Sequence, residues 1–162
     1  MSAEMLGLLF HYNHYVLKID TEGLSHEETL RQPAPGGNCL NWVLGHVLAN
    51  RNTVLRALGE EPIWSAETAE PYERGSAPLT DGSKAVLLER MLADLDASQE
   101  RIQGALKDMS PERLAQAPPA GTTKDEDDTV ETLLTVLAFH EAYHAGQTGL
   151  LRRLVGKPGA IP

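Results

Sequence analysis

Leucine, valine, methionine and aromatic residues recur at steps of three and four in four stretches of the chain, and polar segments rich in proline and glycine separate them. The first stretch carries Met5, Leu8, Leu9, Tyr12, Tyr15, Val16 and Ile19, with Ser2 placed to cap its start. It predicts a first helix that buries that set. Thr21 to Gly37 predicts a turn and a short helical piece over Ser25 to Arg31, closed by Pro33, Pro35, Gly36 and Gly37. Asn38 is then the expected cap of a second helix with the stripe Leu40, Val43, Leu44, Val47, Leu48, Leu55 and Leu58 and an exit at Gly59.

From Glu60 to Gly82 five prolines and glycines and no sustained period predict a long crossover, the kind of connection that joins parallel neighbours in a bundle. Ser83 is the expected opening of a third helix, with Leu88, Met91, Leu92, Leu95, Ile102, Leu106 and Met109 on one face and an end before Ser110-Pro111. After a polar, acidic loop from Pro118 to Asp128, Asp128 and Glu131 have capping-box spacing, and a fourth helix should run to Gly156. The expectation is an all-α four-helix bundle over residues 1–162, as one domain.

Composition narrows what such a bundle does. The formal net charge is −9, and the few Lys and Arg residues are scattered, which argues against nucleic-acid binding. A single cysteine, Cys39, excludes an internal disulfide and a cysteine-based zinc cluster. No signal-peptide pattern and no apolar run of membrane-spanning length occurs. A cytoplasmic protein with no membrane partner is expected.

On a helical wheel centred on Leu133, the residues Leu137, His140, His144, Leu151 and Val155 fall on one face. Two unpartnered core imidazoles would each cost about 1–3 kcal/mol, so the pair calls for a partner. Their i, i+4 spacing lets both converge on one divalent metal. A closed site needs a third ligand from another helix. His46 lies at the fringe of the second helix's stripe, and His11 and His14 on the first helix are rivals for that role.

His140-Glu141-Ala142-Tyr143-His144 is also literally H-E-x-x-H, the zinc-protease signature, but the residues after His144 include no His, Asp or Glu for a third ligand. A di-iron bundle would need a second E-x-x-H, which the other helices lack. Arg51 and Gln99 fall in the middle of apolar faces. They are candidates to line a pocket beside the metal, with Arg51 pairing a carboxylate, or else a snorkelling arginine and a polar layer. Glu141 sits about 100° round from His140 and reads as a solvated helix residue ahead of a base or a ligand-orienting group. Gly45, Gly146 and Gly149 inside helices suggest close helix approach.

Asn41-Trp42 with Gly45-His46 in the second helix, and His140-Glu141-Ala142-Tyr143-His144-Ala145-Gly146-Gln147 in the last, resemble the DinB/YfiT-like superfamily of metal-binding bundles over nearly the whole chain. The resemblance implies His46, His140 and His144 as the metal triad. It further implies a left-handed up-down-down-up bundle, often a homodimer, with zinc or nickel at one end. Relatives of known activity include mycothiol-dependent maleylpyruvate isomerase and bacillithiol S-transferases. By that similarity the chain is expected to be a metal-dependent thiol transferase or isomerase, with a low-molecular-weight thiol and a small electrophile as its small-molecule partners. A metal-containing binding or stress-response protein without turnover is the alternative.

Overall fold

The computed structural model describes residues 1–80 and 82–160. Four long helices form the bundle: α1 Ala3–Thr21, α3 Leu40–Leu58, α5 Leu88–Lys107 and α7 Val130–Leu154. Three single-turn helices decorate the connections, α2 His26–Thr29, α4 Ala66–Ala69 and α6 Pro111–Leu114, and no strand occurs among the described residues. The all-α expectation holds.

Cross-helix bonds set the directions. Asn13 donates to the Ala138 carbonyl and Thr148 to Asp20, so α1 and α7 run parallel. Gln103 reaches Gly7 and Lys18 reaches Asp96, which makes α5 antiparallel to α1. Asn41 bonds to Val86 and Arg51 to Ser98, so α3 and α5 are parallel, and the long crossover joins them. The order is therefore up-down-down-up, with α1 and α3 diagonal and α5 and α7 diagonal. Among the described residues no helix is long and apolar enough to cross a membrane.

Several boundaries differ from the sequence expectation, each for a local reason. Cys39, without a side-chain capping bond, stands at the N-cap of α3 in place of Asn38. Ser83 sits in a 3-10 turn over Gly82–Lys84, and α5 opens only at Leu88. The Tyr72 hydroxyl accepts from the Val86 N–H and His26 accepts from the Leu88 N–H, which ties the preceding stretch into extended backbone. Thr129 with Thr132, one residue past Asp128 and Glu131, forms the capping box of α7. Gly156, at φ +79°, ends that helix just past Leu154, a backbone region that glycine enters without steric cost.

The largest correction is the phase of α1. Its buried residues are Leu6, Phe10, Asn13, Leu17 and Asp20, whereas Met5, Leu8, Leu9, Tyr12 and Tyr15 are exposed. α7 likewise buries Leu134, Ala138, Glu141, Ala145 and Thr148, and it exposes Val136, Phe139, Tyr143, Leu150 and Leu154. Both helices thus carry a second apolar stripe on the outside of the bundle.

Candidate metal centre

α3 supplies His46 and α7 supplies His140 and His144 one turn apart, at the level where the two antiparallel helices face each other. The three ligand atoms lie within 4.8 Å of one another. His140 Nε2 is 3.4 Å from His46 Nε2 and 3.1 Å from His144 Nε2. Nitrogens bound tetrahedrally at zinc-like distances would stand about 3.3 Å apart.

The remaining ring nitrogens explain why these Nε2 atoms point inward. His46 Nδ1 donates to the Tyr72 carbonyl at 2.6 Å, and His144 Nδ1 faces the Gln147 side-chain oxygen at 2.8 Å. With protons on Nδ1, both rings present an Nε2 lone pair to the centre. Asn50 donates to the His46 carbonyl at 2.7 Å and also lies 3.2 Å from His46 Nε2. His140 Nδ1 is buried with no partner, and its Nε2 meets chiefly the two other imidazoles. One proton on His140 reaches one neighbour and Asn50 reaches His46, yet His140 Nδ1 keeps no partner, whereas a cation takes all three inward lone pairs at once. The donor set therefore fits a divalent metal.

Electrostatics favour the same state. Burial lowers the pKa of all three histidines, that of His140 to about 4, with the neighbouring imidazoles and Arg74 adding to the effect there. Near neutral pH the rings are uncharged, the form that binds metal.

Trp42 stacks on His46 with ring centroids 4.8 Å apart and planes 10° from parallel. Its indole N–H is held by the Pro71 carbonyl and Ser76. Gly45 is what lets the crossover come so close, because a Cβ there would lie 2.1 Å from the Tyr72 ring. Gly149 likewise approaches Asp20 of α1, but Gly146 faces open space. The histidines border a groove of about 980 Å³, walled by Trp42, Leu150, Leu151 and Leu154 and by the loops at Asn38 and Arg74-Gly75-Ser76. A groove of the same volume between α1 and α5 collects no cluster of ligating side chains.

The other histidines are used elsewhere. His14 faces Asp96 at 3.3 Å on the α1–α5 seam, His26 accepts from the Leu88 backbone, and His11 packs against Tyr12 on the surface. The expected roles of Arg51, Gln99 and Glu141 also change. Glu141 is buried rather than solvated, and both its oxygens accept from Arg51, at 3.0 and 2.7 Å. Gln99 accepts from the same guanidinium at 3.2 Å. None of the three lines the groove, so Arg51 has no free face for a substrate carboxylate. Tyr72, Asn50 and Gln147 were missed as supports. The helical spacings H-x-x-x-N and H-x-x-Q pointed to the last two, while Tyr72 acts through its backbone and leaves only Gly45 as a trace.

A comparison with functionally curated proteins returned no match. Among solved structures, the chain is similar to one described as the conserved protein of locus from Enterococcus faecalis, at TM-score 0.72 and 18% identity, over 97% of this chain and 99% of that one. At that identity the likeness concerns the fold. The sequence profile of the DinB superfamily matches residues 15–148, a span that holds all three clustered histidines, and the chain belongs to that superfamily.

Proposed function

We propose that His46, His140 and His144 hold one zinc or nickel ion, and that the protein is an enzyme joining a low-molecular-weight thiol to a small electrophile, or isomerising one with the thiol's help. The observation that carries this reading is the convergence of three neutral imidazole nitrogens beside an open groove. When bound, a divalent ion supplies a Lewis-acid centre that shifts a thiol toward its nucleophilic, deprotonated form near neutral pH.

The chain's own residues do the rest. Tyr72 and Gln147 aim two of the rings, Trp42 stiffens His46 by stacking, and the leucines give the groove an apolar wall. Neutral ligands leave the ion its charge, unlike thiolates, and three of them leave a coordination position for a small molecule. The lone, buried Cys39 supports a cytoplasmic setting, and the exposed apolar stripes of α1 and α7 support a homodimer.

The test has two stages. Elemental analysis of the purified protein should find about one zinc or nickel ion per chain, lost in His140→Ala and in His144→Ala. Loaded protein should then accelerate the reaction of cellular thiols with 1-chloro-2,4-dinitrobenzene, and chelator-treated protein should not. Full metal occupancy in both variants would reject the site. Metal-dependent binding without any rate would leave a non-catalytic binding protein.

A further inference from the structure

The groove beside the histidines has a charge pattern opposite to that of the chain as a whole. The chain carries 23 acidic residues against 14 Lys and Arg, yet among the described residues no Asp or Glu lines this groove. Its two charged linings are arginines, Arg74 from the crossover and Arg153 from the last turn of α7. Both are exposed, and among the described residues neither has a carboxylate within ion-pair distance. Every other wall is apolar or neutral, with Trp42, Leu150 and Leu154 prominent.

A guanidinium without an ion-pair partner attracts a ligand carboxylate, which it binds through two parallel N–H···O bonds; Arg74 also acts on His140, and Arg153 shares its charge with Asp20 of α1. Here the apolar leucine wall strengthens that attraction, and the acidic balance of the chain makes an acid-free groove with two arginines the exception. A volume of about 980 Å³ suits a small molecule with an apolar stem.

We infer that the groove takes a small carboxylate-bearing molecule whose metal-seeking end reaches His46, His140 and His144 while Arg74 and Arg153 hold its carboxylate. This assignment rests on the metal-site reading above and adds the substrate's charge and the two residues that select it. Arg74 and Arg153 are thus specificity-determining residues. Arg51, the arginine that the sequence singled out, is committed to Glu141.

The test uses zinc-loaded protein and two nearly isosteric thiols, 3-mercaptopropionate and its neutral amide, 3-mercaptopropanamide, with binding followed calorimetrically and zinc content measured in parallel. The acid should bind the wild type at least about tenfold more tightly than the amide, the scale of a charge-assisted pair. In Arg74→Gln/Arg153→Gln that preference should vanish, with amide affinity unchanged within about twofold. Equal affinities in the wild type, or a preference that survives the double substitution, would overturn the inference while leaving the metal reading intact. Protein that retains no zinc and binds neither thiol would overturn both. Because both arginines are exposed, the variant is expected to fold as the wild type does.

Discussion

Substituting Glu141 by Ala should be among the most damaging single changes to the stability of this bundle. Arg51 is fully buried, and all five of its N–H donors are placed. Two go to Glu141, one each to the Leu95 carbonyl and Ser98, and one to Gln99. Removing the carboxylate leaves a buried positive charge without its counter-ion and two donors without acceptors, a loss of about 3–5 kcal/mol. For a domain of this size each kcal/mol moves Tm by about 2–4 °C, so Tm should fall by roughly 6–20 °C. The assay is urea and thermal unfolding followed at 222 nm, in chelator so that metal linkage adds nothing to the difference. Arg51→Met/Glu141→Leu should recover most of the loss, because well-packed apolar side chains avoid the desolvation that the ion pair suffers. A loss below about 1 kcal/mol for Glu141→Ala, or a double variant no better than the single, would refute this account. The folded double variant should also bind zinc within a few fold of the wild type, since neither residue touches the histidine nitrogens.

Gly45→Ala should push Tyr72 off His46 and weaken zinc affinity about 10- to 100-fold in a chelator competition, whereas Gly104→Ala, with open space around it, should leave zinc binding unchanged. His14 has its pKa lowered to about 4, by burial first and then by Arg51 of α3, with Asp96 of α5 opposing and Lys18 and His11 of α1 assisting. The fold favours its neutral form, so this contribution to stability is complete above about pH 6.5 and is lost as the pH falls toward 4. Urea midpoints at pH 7.5 and 5 should therefore differ less in His14→Asn than in the wild type. Apart from the groove residues, the exposed apolar side chains of α1 together with Val136 and Phe139 of α7, the latter 73% exposed, present on the order of 800 Å² of apolar surface, the scale of one side of a stable dimer. Sedimentation should show a dimer, and Phe139→Glu should convert it to a monomer.

The positions of the long helices were legible because their apolar periods run for about five turns, and the histidine pair was legible because His140 and His144 fall on the face of Leu133 and Leu137, where unpartnered imidazoles are costly. The phase of α1 was not legible. That helix has apolar residues on two faces, and the face that turns inward also carries Asn13 and Asp20, which count against burial when read alone. Their partners are the Ala138 carbonyl and Thr148, more than 120 residues away. Glu141 was misplaced for the same reason, because Arg51 neutralises it from another helix.

The misreadings share a direction, since Asn13, Asp20 and Glu141 count as outward residues until the partner on another helix is known, whereas Arg51 and Gln99 stood out because apolar residues surround them in their own helices. The histidines escaped because they are partners of one another, two of them within one turn of the same helix. That contrast separates the two polar clusters physically. Arg51, Glu141 and Ser98 satisfy one another within the chain, and of that cluster only Gln99 Nε2 is left without a partner. The three imidazoles do not. His46 and His144 present lone pairs, His140 has at most one proton for them, and its own Nδ1 is left without a partner. A polar cluster that closes on itself holds helices together, whereas one left open toward a groove calls for something from outside, here a cation that accepts three lone pairs at once.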